Sequence, residues 1–335
     1  MEEQKQLIRI EQRNYQDLGK LPKVRGYDTC SGEIGCRPEV FARCYRGVQS
    51  FAKEVNADWI HWTYHVGEDF LDLVDGLRAI DEAVLFCQLP RGSRLGHGMA
   101  LGLDAVSYYQ LKQRKILLPG QDLMDNIAWT LGFCREHGIV IRSTLRKKLE
   151  EKFSDLHRKI YGEVPLQDAG ERADGEAARQ IEAPDSETLA RREAAAARVG
   201  GNVYDHSYYD AWKLRGDWPE YYLDDEENLN VLPPEAGLRM EETEEDQGEA
   251  ANDVGFVFSG KPYGQKKSLK EIRADRRCRE YYRRYHFSRQ VREKGERPEF
   301  FEMDFAYMEL IGRMQEEMRH LLTEKKIGIE CNPTS

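Results

Sequence analysis

Trp62-Thr63-Tyr64-His65-Val66-Gly67-Glu68 and, further along, Arg94-Leu95-Gly96-His97-Gly98 are the stretches from which the fold is read. Each is a short apolar strand leading into a histidine, and one helix's worth of sequence separates them. That spacing puts their polar residues at neighbouring strand ends of an α/β sheet, where such folds build active sites. His65 can offer an imidazole to a metal, and Glu68 lies about one turn further on. His97 stands between two glycines that would let a ligand approach the backbone closely. Read on chemistry alone, this is the skeleton of a metal-assisted hydrolytic site.

Working outward, Lys23 to Thr29 is a strand candidate, and the glycines from Gly26 to Gly35 mark its end and a loop. Pro38 sits in the first turn of a helix whose Val40, Phe41, Cys44, Val48 and Phe51 are spaced for one buried face. Ala57 to Tyr64 reads as the next strand and Asp69 to Cys87 as the next helix. Strand, helix, strand, helix, strand predicts parallel pairing with right-handed crossovers. Beyond Gly102, Ile116 to Leu118 precede Pro119-Gly120, which reads as a turn. Leu123, Ile127, Leu131 and Cys134 predict a helix stopping near Gly138, Ile139 to Ile141 the start of a strand, and Leu149 to Ile160 another helix.

Composition divides the chain into residues 1–102, strands with helices; 103–161, a helical subdomain or lid; 162–264, an acidic, partly flexible insertion; 265–300, a basic helical segment; and 301–335, a helix and a last strand. Within the insertion, Asp168 to Ala197 and Glu241 to Glu249 are highly charged. Tyr204 to Trp218, by contrast, is dense enough in aromatic residues to dock against something. Residues 265–295 read as one basic helix, with Arg273, Arg283 and Arg284 interleaved with Tyr281, Tyr282 and Tyr285. Phe305 to Leu322 carries a methionine and leucine stripe expected to face the core.

The chain of 335 residues is 40% hydrophobic, enough for a sizeable core. Its 50 basic and 60 acidic side chains give a net charge of -10, which disfavours an unassisted nucleic-acid binder. Seven cysteines without a close C-x-x-C pair suit a reducing compartment. No apolar run approaches a membrane span, so a cytoplasmic protein is expected.

His65-Val66-Gly67-Glu68 followed by a strand ending Arg94-Leu95-Gly96-His97-Gly98 resembles the adenosine deaminase branch of the amidohydrolase superfamily, zinc enzymes built on a TIM barrel. The likeness extends back to Arg25-Gly26-Tyr27-Asp28-Thr29-Cys30-Ser31-Gly32-Glu33, similar to the family's fourth strand and substrate loop. It extends forward to Ile329-Glu330-Cys331-Asn332-Pro333-Thr334-Ser335, similar to the seventh. The resemblance implies an α/β fold: a partial TIM barrel comprising family strands four to seven, with a large, mostly helical insertion between the sixth and seventh. No first-strand H-x-H pair precedes these motifs, and the eighth-strand aspartate does not appear. The expectation is therefore a fragment of a longer protein, or a chain completed by a second polypeptide.

By the same resemblance His65 is a ligand of Zn2+. Glu68 is the acid that protonates the purine ring nitrogen, and His97 orients or deprotonates the attacking water. Gly32 and Ser31 compete for the substrate-loop position, and Asp28 is a third substrate contact. Asp28, Glu33, Asn332 and Ser335 all have structural readings as well. The implied reaction is hydrolytic deamination of adenosine or an adenine nucleotide to the inosine form. The long insertion is similar, more loosely, to the large deaminase subunits of bacterial RNA-editing antiviral defence systems. That likeness implies a homo-oligomer built as a large shell, an ATPase partner and an RNA contact. Two alternatives stand beside it: a catalytically inactive scaffold or RNA-binding subunit using the basic segment, and another amidohydrolase reaction. The absence of P-C-x-x-C argues against a cytidine-deaminase-like site.

Overall fold

The computed structural model describes residues 1–30, 32–162, 204, 206–222 and 267–331. Ser31, Asn332, Ser335 and most of the 162–264 insertion, including 168–197 and 241–249, lie outside the described residues. The chain opens with α1 (Glu2–Leu18), followed by β1 (Gly26–Thr29), α2 (Pro38–Glu54), β2 (His61–Val66), α3 (Leu73–Phe86) and β3 (Arg94–His97). A 3-10 turn, Met99–Leu101, leads to α4 (Ala105–Leu111), β4 (Lys115–Pro119), α5 (Gly120–Glu136) and α6 (Ser143–Tyr161). Then come α7 (His206–Trp212), α8 (Leu269–Ala274), α9 (Arg276–Phe287), α10 (Arg289–Gly295), β5 (Pro298–Glu302), α11 (Phe305–Glu324) and β6 (Gly328–Glu330).

Alternation in β2 sets the layering. Trp62, Tyr64 and Val66 are buried on one face, while His61, Thr63 and His65 point to the other, more open face. Tyr45 of α2 packs its ring 5.9 Å from Trp62 and 5.4 Å from Tyr64, so α2 covers the buried face. Its buried side chains include Ala42, Tyr45, Val48, Phe51 and Ala52. Val40, expected in that face, is 63% exposed, because it lies on the opposite side of the helix from Ala42 and Tyr45.

The strands β1, β2, β3 and β6 form one parallel sheet in that order. Thr29 lies opposite Tyr64, Val66 opposite His97, and Gly96 opposite Glu330, so the carboxyl ends of all four strands open on one side. The α/β class and parallel pairing expected from the opening alternation are therefore present. A second pair, β4 with β5, is antiparallel and runs from Lys115↔Glu302 to Pro119↔Pro298. This ribbon qualifies the expectation of a mostly helical insertion, and the boundary drawn at residue 300 falls inside β5.

Three local expectations are corrected. Pro119-Gly120 is not a turn: β4 runs straight into α5, and Gly120 N–H donates to Arg297 O at 2.8 Å. Ile139 to Ile141 is not a strand. Gly138, at φ 65, ends α5, and the Ile139 N–H caps that helix by donating to Cys134 O at 2.8 Å. The basic stretch 265–295 is not one helix. The Asp275 side chain accepts from Arg277 and Cys278 N–H, and Ser288 accepts from Val291 N–H, so each starts a new helix. In α11 the expected stripe is buried at Met308, Leu310, Ile311, Met314 and Met318, with Phe305 outside it at 52% exposure.

A buried ionic cluster ties these layers together. Arg78 of α3 is 1% exposed and donates to Asp75 at 2.9 Å, to Glu82 at 3.0 Å and to Asn126 of α5 at 2.9 Å. Arg37, at the start of α2, reaches Asp75 at 2.6 Å and Glu82 at 2.7 Å, and Trp212 of α7 donates to Glu82 at 2.9 Å. Burial works against charge on Asp75, but Arg37 and Arg78 together hold its carboxyl below the usual range. Arg78→Met keeps the bulk but removes one cation, leaving Arg37 as the cation shared by Asp75 and Glu82. It should lower the unfolding free energy by about 3–5 kcal/mol in urea titration, against about 0.5 kcal/mol or less for the exposed Arg289→Ala.

Candidate functional site

Three parallel strand ends bring the sequence-selected residues together. On β1, Asp28 Oδ1 lies 3.0 Å from His65 Nδ1 of β2. After β2, Glu68 Oε2 lies 3.2 Å from Nε2 of His97, the last residue of β3. The two imidazoles stand 5.3 Å apart, centre to centre. His65 and His97 keep 12% and 14% side-chain exposure, Glu68 25% and Asp28 39%, so the pairs are half sheltered and open towards the strand ends.

Gly96 explains how His65 fits. It lies opposite His65 in the β2–β3 register, and a Cβ at this position would overlap the His65 ring. The glycine expected to admit a ligand thus admits the neighbouring strand's imidazole. Gly98, at φ 54, starts the 3-10 turn after β3. His97 is itself left-handed at φ 59. A non-glycine residue there carries strain of order 1 kcal/mol, held in place by the Gly98 N–H to Gly96 O bond at 2.8 Å.

The remaining expected residues divide. Asp28, expected against substrate, is turned onto His65. Gly32 is exposed with open space around it and lines a cleft of about 610 Å³. His65 and Glu33 line the same cleft, which extends to Glu39 and Tyr285; Glu68 and His97 are not among its lining residues. Tyr285 of α9 donates to Glu39 Oε1 at 3.0 Å, and burial pushes the Glu39 carboxyl up to about 7 despite the nearby Arg215. His61 shares the open face with His65, as alternation requires, but is exposed at the other end of β2.

Zinc was the expected cofactor, and the donors at hand fit one position of its shell. His65 has its Nδ1 engaged by a carboxylate, leaving Nε2 for a ligand, the arrangement that orients metal-binding histidines. Among the described residues, no group of three or more His, Cys, Asp or Glu side chains could hold a metal ion. A complete tetrahedral shell therefore needs donors from elsewhere.

No protein-family model matches the chain, and no curated protein matches it. The site is read from its own geometry. Among the described residues, no helix is long and apolar enough to cross a membrane.

Part of the basic segment turns its chemistry inward, while Lys270, Arg276, Arg277 and Arg289 stay exposed. Arg273 holds Asp217 with two bonds at 2.8 Å, Arg283 donates to Tyr222 O at 2.5 Å, and Arg284 donates to Tyr161 O. Tyr281 and Tyr282 are buried, and the aromatic segment around α7 docks here, as its composition foretold.

Sequence reasoning undervalued Glu33. Its carboxylate accepts from the N–H groups of Gly67 at 2.7 Å, Glu68 at 3.0 Å and Asp69 at 3.3 Å. Only the β1–β2 register brings it to that turn, so no spacing along the chain could have disclosed the contact. Gly96→Ala should force the His65 ring aside and cost about 1–3 kcal/mol. Denaturant titration reads the cost, and loss of the His65–Asp28 bond appears in the His65 nitrogen resonances.

Proposed function

We propose that the β1–β2–β3–β6 sheet is an arc of a TIM barrel, family strands four to seven. Its strand ends would then form part of an adenosine deaminase-like hydrolase site acting on an adenine nucleoside or nucleotide. The observation that carries this reading is the convergence of the Asp28–His65 and Glu68–His97 pairs at adjoining carboxyl ends of parallel strands. Two features support it further. The strands neighbour one another in chain order, and β6, the expected seventh strand, pairs with β3, the expected sixth. The face bearing His61, Thr63 and His65 is the less covered one, as the inner wall of an open arc would be.

In the proposed reaction, water adds its oxygen to the carbon bearing the amine, the C–N bond breaks, and ammonia leaves. A zinc ion held at His65 Nε2, with donors from outside the described residues, would supply a water of lowered pKa. Asp28 fixes the His65 ring by engaging Nδ1. His97 takes one proton from the attacking water at Nε2, and Glu68 delivers one to the purine ring nitrogen. The 3.2 Å contact between them gives that proton a direct route between Nε2 and Oε2. The hydrogen left on the added oxygen passes to the departing amine as the carbonyl forms. Gly32, on the open wall of the cleft, leaves room for the non-reacting part of the substrate. A homo-oligomeric shell, an ATPase partner and a role in antiviral defence belong to this proposal through the sequence resemblance alone, and a cytoplasmic location through the scattered spacing of the cysteines, without a close C-x-x-C pair. No specific observation favours the RNA-binding scaffold, since its stacking tyrosines 281 and 282 are buried.

Mass spectrometry after incubating the natively sourced, zinc-supplied protein with adenosine, ATP and adenine-containing RNA tests the reading. A gain of one mass unit on one substrate is expected, falling at least about 100-fold with Glu68→Ala or His65→Ala. No conversion of any of the three would overturn it.

A further inference from the structure

Glu33 uses its whole carboxylate on the backbone of another loop. Oε2 accepts from Gly67 N–H at 2.7 Å, and Oε1 accepts from Glu68 N–H at 3.0 Å and Asp69 N–H at 3.3 Å. Three successive N–H groups aimed at one anion form a backbone nest. Gly67 makes this nest feasible: its φ is +77, and a Cβ there would stand 2.7 Å from Ile80 Cδ1 on α3. The Gly67 carbonyl accepts from Ala100 N–H at 2.8 Å, so the same turn is also fastened to the segment that follows His97.

Glu68 is the middle residue of the three. Its N–H is held by Glu33 while its side chain meets His97 Nε2 at 3.2 Å. Without an acceptor, three amides outside any helix or strand would turn to water, and the glycine before Glu68 would leave the backbone free to pivot. The carboxylate's setting is consistent with a clamp of this kind. Burial pushes the Glu33 carboxyl above its ordinary value, the three amides pull it back, and the neighbouring Glu68 charge adds to the rise.

We propose that Glu33 is a positioning residue: by holding the Gly67–Glu68–Asp69 amides it aims the Glu68 carboxylate at His97. It lines the cleft beside His65, but in this role it acts through Glu68 rather than on a substrate. The inference rests on the proposed function only for the catalytic use of the Glu68–His97 pair. The pair's geometry can be read without any substrate, so failure of the deaminase reading and failure of this one show up in different measurements.

The experiment uses the full chain with 15N-labelled histidine, followed by NMR and amide hydrogen exchange. In the unmodified protein the Gly67, Glu68 and Asp69 amides are expected to exchange at least about 100-fold more slowly than free peptide. Glu68→Gln provides the reference position of the His97 Nε2 resonance when the carboxylate is gone. Glu33→Gln keeps the shape but removes the charge. It is expected to speed exchange at the three amides about tenfold or more, and to move the His97 resonance towards the Glu68→Gln position, with circular dichroism unchanged. Glu33→Asp, charged but too short to reach all three amides, should fall between, and it carries the same readings where Glu33→Gln does not fold. Rapid exchange in the unmodified protein overturns the proposal. So does a loss of thermal stability in the folded variants with His97 unmoved, which would make Glu33 a support for its own loop.

Discussion

The register of β2 against β3 is the constraint on which the site depends. With His65 opposite Gly96 and Val66 opposite His97, one imidazole lies in the space left by a glycine while the other closes the neighbouring strand. A slip of one residue would turn Trp62, Tyr64 and Val66 away from α2 and drive His61, Thr63 and His65 beneath it. Exposing three large apolar side chains costs roughly 1.5–3 kcal/mol each, or about 5–9 kcal/mol together. That is comparable with the whole stability of an ordinary domain. The face that carries the candidate site is thus held in place by the hydrophobic one behind it.

Behind that sheet, α3 is placed by charge as well as by apolar contact. Its Arg78, Asp75 and Glu82 join Arg37 before α2, Asn126 on α5 and Trp212 on α7 in one buried network. Such a network adds little net stability over a well-packed apolar core, because desolvation offsets most of the attraction. Its partners must nonetheless all be present, since any one removed strands the others' charges. The turn after β2 rests on Ile80 of the same helix, so the position of Glu68 inherits the fixed seating of α3.

How much of this could be read from the residues follows from the range of each interaction. The strand and helix pattern through His97 is local and periodic, and the helices around Leu123, Leu149 and Met308 announce their buried faces at a spacing of three and four. The grouping of His65, Glu68 and His97 follows from their places at the ends of successive strands. Pairings set by register were hidden: Asp28 turned to His65 rather than outward, and Glu33 holding three amides of another loop. Cap chemistry was also underweighted at Asp275, Ser288 and Gly138, where a single side-chain or backbone hydrogen bond outweighs helix periodicity or β-branched residues. The β4–β5 ribbon joins strands far apart in sequence, and nothing near Ile116 names Phe301 as its partner.

That ribbon carries an architectural consequence. Pro119 pairs with Pro298 at its far end, and neither can donate a ladder hydrogen bond, so the pairing stops there. The backbone between these two residues leaves and returns through this neck, while Asn126 and Trp212 inside the segment are bound to Arg78 and Glu82 of α3. Closing a loop at a fixed neck costs little more as the loop lengthens, about 0.6 kcal/mol per doubling. The neck therefore tolerates added length only in connections that make no such contact, since exchanging α5 or α7 would strand Arg78 and Glu82 behind the four parallel strands.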